Sequence, residues 1–319
     1  MAQQLTLFER EQIAMFRNQR LSNAEIGRRL GRARSTIGRE LTRNSDGANY
    51  WASSAQQKAQ ARRERRPRKM EDARLNDYVR QGLVRCWSPE QIAGRSRREF
   101  RGQRRRCLSH STIYRWIAAD AYRQHWESFL RFGRCRREPE TRGKLPARAE
   151  IAGRPAVVDT RRRFGDWEGD TVVGKQRRSG LVTLVERKSG FGLVAKVYRL
   201  KAQHVARSAK RQLAPLPPGL RHTATFDNGK EFARHERIAQ ATGIDIYFAR
   251  PYHAWERGSN ESFNGLLRQF FPKGTDFTGI SPLEVKHVHD LLNDRPRKRL
   301  GYRTPREVLG QYFPVAFQL

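Results

Sequence analysis

Along the first part of the chain, to about residue 150, apolar residues recur three and four positions apart. Beyond it they gather into short β-branched runs. The first pattern predicts helices and the second strands. Thr6 followed by Glu9, and Ser22 followed by Glu25, are capping-box starts: the hydroxyl can accept from an N3 amide while the carboxylate reaches back. Two short helices follow from these, the first burying Ile13 and Phe16, the second Ile26 and Leu30. Gly31 allows a turn into a third helix carrying Ser35, Thr36, Ile37 and Leu41, which is a helix-turn-helix layout.

The same wording returns downstream. Ser88-Pro89-Glu90-Gln91-Ile92 repeats the cap with Pro at the first helical position, and Ser111-Thr112-Ile113, then Arg115, repeats Ser35-Thr36-Ile37, then Arg39. The second copy is longer inside, 23 positions from Ser88 to Ser111 against 13 from Ser22 to Ser35. Its insertion holds Arg101, Arg104, Arg105 and Arg106. The two third helices present Arg34, Ser35, Thr36, Arg39 and Arg43 in one unit and Ser111, Thr112 and Arg115 in the other. Hydroxyls and helix-terminal amides hold phosphates, and Arg reads guanine edges in the major groove. A small helical bundle without DNA would show the same caps but has no use for this basic face.

Beyond a segment rich in Arg, Pro, Gly and Glu, the pattern predicts a strand meander over Asp166–Val173, Leu181–Glu186 and Leu193–Tyr198. A helix over Ala202–Leu213, a strand over Thr223–Phe226, a helix over Glu231–Ala241 and a strand over Ile244–Phe248 follow. A mixed sheet flanked by helices fits, so the fold class is α/β preceded by an all-α region with two helix-turn-helix units.

Composition then narrows the partner. The 319 residues carry 65 Lys+Arg against 32 Asp+Glu, a formal charge of +33, which calls for a polyanion. With 6 Trp, 9 Tyr and 16 Phe the chain is no disordered basic tail. No stretch approaches the ~20 apolar residues of a membrane span, and residues 1–20 lack a signal-peptide pattern, so a cytoplasmic, nucleoid-associated protein is expected. Cys86, Cys107 and Cys135 are too scattered for a zinc ribbon or a disulfide framework and read as reduced packing residues.

Three acidic positions in the second half stand out: Asp170 in the first strand, Asp227 at the turn ending the fourth, and Glu261 in a later helix. Clustered carboxylates in so basic a chain suit hard divalent ions. Two such ions about 4 Å apart can drive in-line phosphodiester displacement. Each residue also has an ordinary reading: Asp166, Glu168 and Asp170 alternate on one strand face, Asp227-Asn228-Gly229 is a turn signal, and Glu256 or Glu261 can pair with Arg257 or Arg268. Spacing alone leaves these alternatives open.

The surrounding text resembles one family of bacterial transposases, insertion-sequence family thirty. The matching stretches are Gly165-Asp166-Trp167-Glu168-Gly169-Asp170-Thr171, Phe226-Asp227-Asn228-Gly229-Lys230-Glu231-Phe232, and Pro251 through Glu261 continuing from Asn264 to Gly274. Asp227 and Glu261 stand 34 positions apart, and the tail, with Asn293, Pro296-Arg297 and Leu300-Gly301-Tyr302-Arg303-Thr304-Pro305, resembles the family too. The resemblance implies a ribonuclease-H-like, integrase-type core with Asp170, Asp227 and Glu261 as catalytic and metal-binding residues. Glu168 and Asp166 are second choices for the first position. It also implies two Mg²⁺ ions, with Mn²⁺ able to substitute. Arg268, two turns after Glu261 and about 20° away on the helix, is a candidate for DNA phosphate, as is Arg257. His253 is a weaker candidate for proton transfer, and Trp255 for base stacking.

The expected organisation is a first helix-turn-helix domain over 1–50, a basic helical connector over 51–82, and a second helix-turn-helix domain over 83–132. A basic linker over 133–163 and the catalytic core with a helical tail over 164–319 complete it. The expected function is DNA transposition: binding of terminal inverted repeats, metal-dependent strand cleavage and joining to target DNA, by a homodimer or larger assembly. The alternative is a repressor that binds DNA specifically and has lost catalysis.

Overall fold

The computed structural model describes residues 4–47, 49–64, 69–103, 106–131, 153–250 and 258–313. These form two compact units, divided at Asp72 and Ala73.

The first unit holds α1 (Leu7–Asn18), α2 (Asn23–Arg29), α3 (Arg34–Asn44) and α4 (Ala52–Glu64). Thr6 closes a full capping box on α1: its Oγ1 accepts from the Glu9 amide at 3.2 Å and its own amide donates to the Glu9 carboxylate at 2.7 Å. Ser22 caps α2 through the Glu25 amide, but Glu25 turns its carboxylate to Arg28 and Arg29 and leaves that box half made. Ile13, Ile26, Ile37 and Leu41 meet in one core, as the spacing predicts, joined by Leu5. Gly31 adopts φ +62°, and a Cβ on Gly27 would sit 2.6 Å from the Arg32 carbonyl oxygen, so the turn between α2 and α3 depends on both glycines. Under the bundle, the buried Arg10 guanidinium donates to Glu40 at 2.7 Å and to Gln56 of α4 at 2.6 Å. The stretch 51–82 thus spans the division, with α4 packed on α1.

The second unit opens with α5 (Ala73–Val84), α6 (Pro89–Glu99), α7 (His110–Ala119) and α8 (Arg123–Ser128). Ser88 forms a capping box with Gln91, with Pro89 leading α6, and Ser109 caps α7. After the short α9 (Val157–Thr160) come β1 (Asp166–Val173), β2 (Gly180–Glu186), β3 (Gly192–Val197), α10 (Ala202–Leu213), β4 (Thr223–Phe226), α11 (His235–Thr242) and β5 (Asp245–Phe248). Then follow α12 (Gly258–Leu267), α13 (Pro282–Asn293) and α14 (Pro305–Gly310). The five strands run in the order β3-β2-β1-β4-β5. β1, β2 and β3 form an antiparallel meander, while β4 and β5 run parallel to β1. This is the ribonuclease-H-like arrangement.

Period-two alternation sorts the strand side chains onto two faces. Trp167, Val182, Leu184, Ala224 and Phe226 meet α10, α11 and α14, whereas Val172, Leu181 and Val185 meet α12 and α13. The helix expected from Glu231 instead begins as a short 3₁₀ turn, Lys230–Phe232, and restarts at His235. The Phe232 ring stacks on Phe226, centroids 4.5 Å apart, and this pins the turn to the sheet before α11 begins. Residues 153–163, the end of the span read as linker, lie against the core: Arg154 donates to Thr225 Oγ1 at 3.0 Å and Val158 is fully buried. Among the described residues no helix is long and apolar enough to cross a membrane.

Candidate active site

Glu168 and Asp170 are two apart on β1, so both face α12. β4 runs beside β1 with Glu168 opposite Thr225, and two residues further along each strand stand Asp170 and Asp227. The two aspartates therefore lie on the same face of adjacent strands, which run about 4.8 Å apart, Asp227 one residue past the end of β4.

The helix that carries the third acidic residue is fastened to that face by a buried clamp. The Asn260 amide N–H donates to Glu168 Oε2 at 2.9 Å, and Asn260 Nδ2 donates to the Glu168 carbonyl oxygen at 2.9 Å. Thr183 Oγ1 donates to Asn260 Oδ1 at 3.1 Å. Glu168, Thr183 and Asn260 are all fully buried, and Arg187 stands 3.0 Å from Glu168 Oε1 to balance its charge. Glu168 so acts as an anchor for the first turn of α12, where an anion also suits the helix dipole. Glu261, the next residue, is exposed on the solvent side of the same turn.

One turn on, Asn264 Nδ2 donates to Asp170 Oδ2 at 2.9 Å, and Asp170 Oδ1 accepts from the Thr171 amide. Asp227 Oδ1 accepts from the Gly229 amide at 3.0 Å. These bonds turn the aspartates toward their own neighbours. Among the described residues no three His, Cys, Asp or Glu side chains stand close enough to hold a metal ion as placed. The donors nevertheless fit one. They are carboxylate oxygens, and beside Asp170 the Asn264 Oδ1 is buried with no hydrogen-bond partner among the described residues. An orphaned acceptor next to a carboxylate suits a hard cation.

Asp166 sits at the far end of the strand. It is taken up by Arg163, at 2.7 Å, and by Thr223 Oγ1, at 2.8 Å. Arg268 donates to the carbonyls of Phe271, Pro272 and Val173, tying the end of α12 to the end of β1. Arg257, His253 and Trp255 lie outside the described residues. The DNA-reading candidates fall on helix surfaces: Arg34, Ser35, Arg39 and Arg43 are exposed on α3 with Thr36 half-buried, and Ser111 and Arg115 are exposed on α7 with Thr112 half-buried. Arg39 folds back onto Ser35, donating to its carbonyl at 3.0 Å, and Arg115 does the same to Ser111.

Asn260 and Asn264, which flank Glu261 in the sequence, read there as able to orient it or touch DNA, with a capping or surface role equally open for Asn260. The structure buries Asn260 against Glu168, and the partners Thr183 and Arg187 are ones that no local spacing signals. Sequence reasoning missed Glu231, which accepts from Thr171 Oγ1 at 3.0 Å on the neighbouring β1.

A ribonuclease-H-like sheet carrying acidic residues on adjacent central strands and on the following helix is the build of a DDE-type polynucleotidyl transferase. The comparisons with known proteins make this specific. Residues 2–44 match the family described as "Helix-turn-helix domain". The transposase for insertion sequence element IS4351 of Bacteroides fragilis is 39% identical, covering 98% of this chain and 97% of its own length. That for IS1086 of Cupriavidus metallidurans is 38% identical, with 97% and 95% covered, and transposase InsI for IS30A of Escherichia coli is 35% identical, with 96% and 83% covered. Among solved structures, the catalytic core domain of BIV integrase aligns with 48% of this chain and 99% of its own at 20% identity, with a TM-score of 0.36. The chain belongs to the IS30 family of insertion-sequence transposases. Membership carries DNA binding and a divalent-metal requirement with it.

Proposed function

We propose that the protein binds the terminal inverted repeats of its own insertion sequence, cleaves them to free 3′-hydroxyls, and joins these to target DNA. The observation that supports this reading is that Asp170 and Asp227 stand on neighbouring strands, with the first turn of α12, which carries Glu261, fastened to β1 through Asn260. Asp170, Asp227 and Glu261 are the metal-holding carboxylates. Mg²⁺ is the ion, as two bound cations, with Mn²⁺ able to replace it. When bound, the ions supply Lewis-acid stabilisation of the oxygens on the reacting phosphorus. The chain's own contribution is positional: Asn264 orients Asp170, the Gly229 amide orients Asp227, and Glu168 with Arg187 fixes the helix that carries Glu261. Arg268 and Arg257 contribute contacts to the DNA backbone next to the site.

The helix-turn-helix surfaces over 1–50 and 83–132 read the ends, through Arg34, Ser35, Thr36, Arg39 and Arg43 on α3 and Ser111, Thr112 and Arg115 on α7. The stretches 51–82 and 133–163 connect them to the catalytic portion, 164–319. Two ends must be joined, so the working assembly is a homodimer or larger, acting in the cytoplasm at the nucleoid.

The test is a strand-transfer assay on labelled terminal-repeat DNA, with Mg²⁺ and with EDTA, comparing wild type with Asp227→Asn and Glu261→Gln. The expected result is metal-dependent cleavage and joining, lost in both variants while end binding persists. Joining by either variant would refute the carboxylate assignment. Tight binding by folded wild-type protein with no cleavage would favour the repressor reading.

A further inference from the structure

The tail motif around Tyr302 has no part in the chemistry above, yet it makes specific contacts between the second helix-turn-helix unit and the catalytic core. The Tyr302 ring lies flat against Gly94 of α6: a Cβ at that position would fall 2.2 Å from Tyr302 Cε1. Tyr302 itself adopts φ +61°, a left-handed conformation costly for a bulky residue, so the surrounding structure holds it there. Beside it, Arg95 of α6 reaches across with both terminal nitrogens to the Glu307 carboxylate, Nη1 at 2.7 Å from Oε2, and Nη1 also donates to the Tyr302 carbonyl at 3.2 Å. Glu307 is fixed in turn because it closes the capping box of α14 with Thr304. Lys298 pairs with Glu90 at the start of α6 at 2.7 Å, and the buried Arg295 donates to the Cys86 carbonyl.

These contacts use the face of α6 carrying Glu90, Gly94 and Arg95. The opposite face, with Ile92, Ala93 and Ser96, is buried within the helical unit. Ser111 and Arg115 on α7 stay exposed. On the other side of the seat, Val308 and Leu309 of α14 enter the main core under the sheet that carries Asp170 and Asp227. A continuous packed path runs from the helix placed to read DNA to the strands placed to cut it.

We propose that residues 295–307 form a seat that locks the second helix-turn-helix unit to the catalytic core. The unit thereby sets the number of base pairs between the sequence α7 reads and the phosphodiester that is cut. Gly94, Arg95, Tyr302 and Glu307 are positioning residues of the reaction. The inference rests on the transposase reading for its consequence, but the seat itself can be tested without activity.

The experiment uses the full chain in two arms. Hydrogen exchange compares wild type, Arg95→Glu, Glu307→Arg and the double charge swap. The seat predicts faster exchange in α6 and α14 for each single variant and recovery in α6 in the double, where α14 still lacks the Glu307 half of its capping box. Cleavage is then read at nucleotide resolution on terminal-repeat DNA with and without five base pairs, about half a helical turn, inserted between the α7 footprint and the cleaved phosphodiester. Wild type should lose roughly tenfold in cleavage or move its cut with the footprint. Arg95→Glu and Gly94→Leu should cut at scattered positions on either DNA, with end binding retained, and the double swap should restore one position. Should Arg95→Glu fail to fold, Gly94→Ala, which displaces the Tyr302 ring by a single methyl group, replaces it. Unchanged exchange and an unchanged single cut position in the variants would overturn the seat. Coupled exchange without wild-type cleavage would support the seat and refute the transposase reading instead.

Discussion

Asn260→Ala isolates the clamp that delivers Glu261. The substitution deletes two buried side-chain hydrogen bonds, to the Glu168 carbonyl at 2.9 Å and from Thr183 at 3.1 Å, while the backbone bond to Glu168 Oε2 remains possible. Each lost bond is worth about 0.5–1.5 kcal/mol, and stranding a buried partner costs a further ~1–3 kcal/mol. The Thr183 hydroxyl can fall back on the Asp170 carbonyl, 3.3 Å away, and the Glu168 carbonyl keeps its place opposite Val185 in the β1–β2 ladder, so the further cost is the hole left by the truncated side chain, about 1 kcal/mol. The expected destabilisation is therefore about 2–4 kcal/mol. At roughly 2–4 °C per kcal/mol for a unit of this size, melting should fall by about 4–16 °C. Urea denaturation followed by circular dichroism, with strand transfer measured well below the new midpoint, checks both halves of the argument. Strand transfer should fall more than the folded fraction does, because α12 is no longer held at the sheet. A variant within ~1 kcal/mol of wild type that retains full strand transfer would refute the clamp as the device that positions Glu261.

Two further outcomes follow from the same geometry. Arg39→Ala removes an exposed cation from α3 without touching Ile37 or Leu41, so melting should be unchanged. If Arg39 contacts phosphate, binding to end DNA should weaken at all sequences and the salt slope should drop by about 1; if it reads a base, discrimination there should relax instead, and a titration over several salt concentrations tells them apart. His289, on α13, is held below its ordinary pKa of 6.5, first by burial and further by Arg306 and Lys286, with Asp290 opposing. The folded chain thus keeps the imidazole neutral where the unfolded chain protonates it. Its contribution to stability is complete above about pH 6.5 and is lost as the pH falls from there toward the lowered value. His289→Gln should show a shallower loss of urea midpoint between pH 7.5 and 5.5 than wild type, and identical pH profiles would contradict this account.

The amino-acid sequence by itself determined the local architecture. Capping residues at Thr6, Ser22 and Ser88 mark helix starts because they satisfy orphan amides within one turn. Short runs of β-branched and other apolar residues mark the strands, most plainly β2, which is buried along its whole length. The acidic residues of the candidate site were legible for another reason: they stand in long motifs shared with a family, not in any periodicity. What tertiary structure alone decided is how distant stretches meet. Glu168 looks in sequence like a rival for Asp170, but the register of β1 against β4 and the approach of α12 make it a buried anchor paired with Arg187. The tail motif stands out in the sequence only as a stretch that resembles the family. Only the packed unit shows Tyr302 against Gly94, some two hundred residues apart in the chain. Helix caps and the hydrogen bonds of a helical turn reach across three or four residues and leave a local trace. Pairings of buried charge and close backbone contact depend on which surfaces the fold brings together, and a single sequence carries no local record of that.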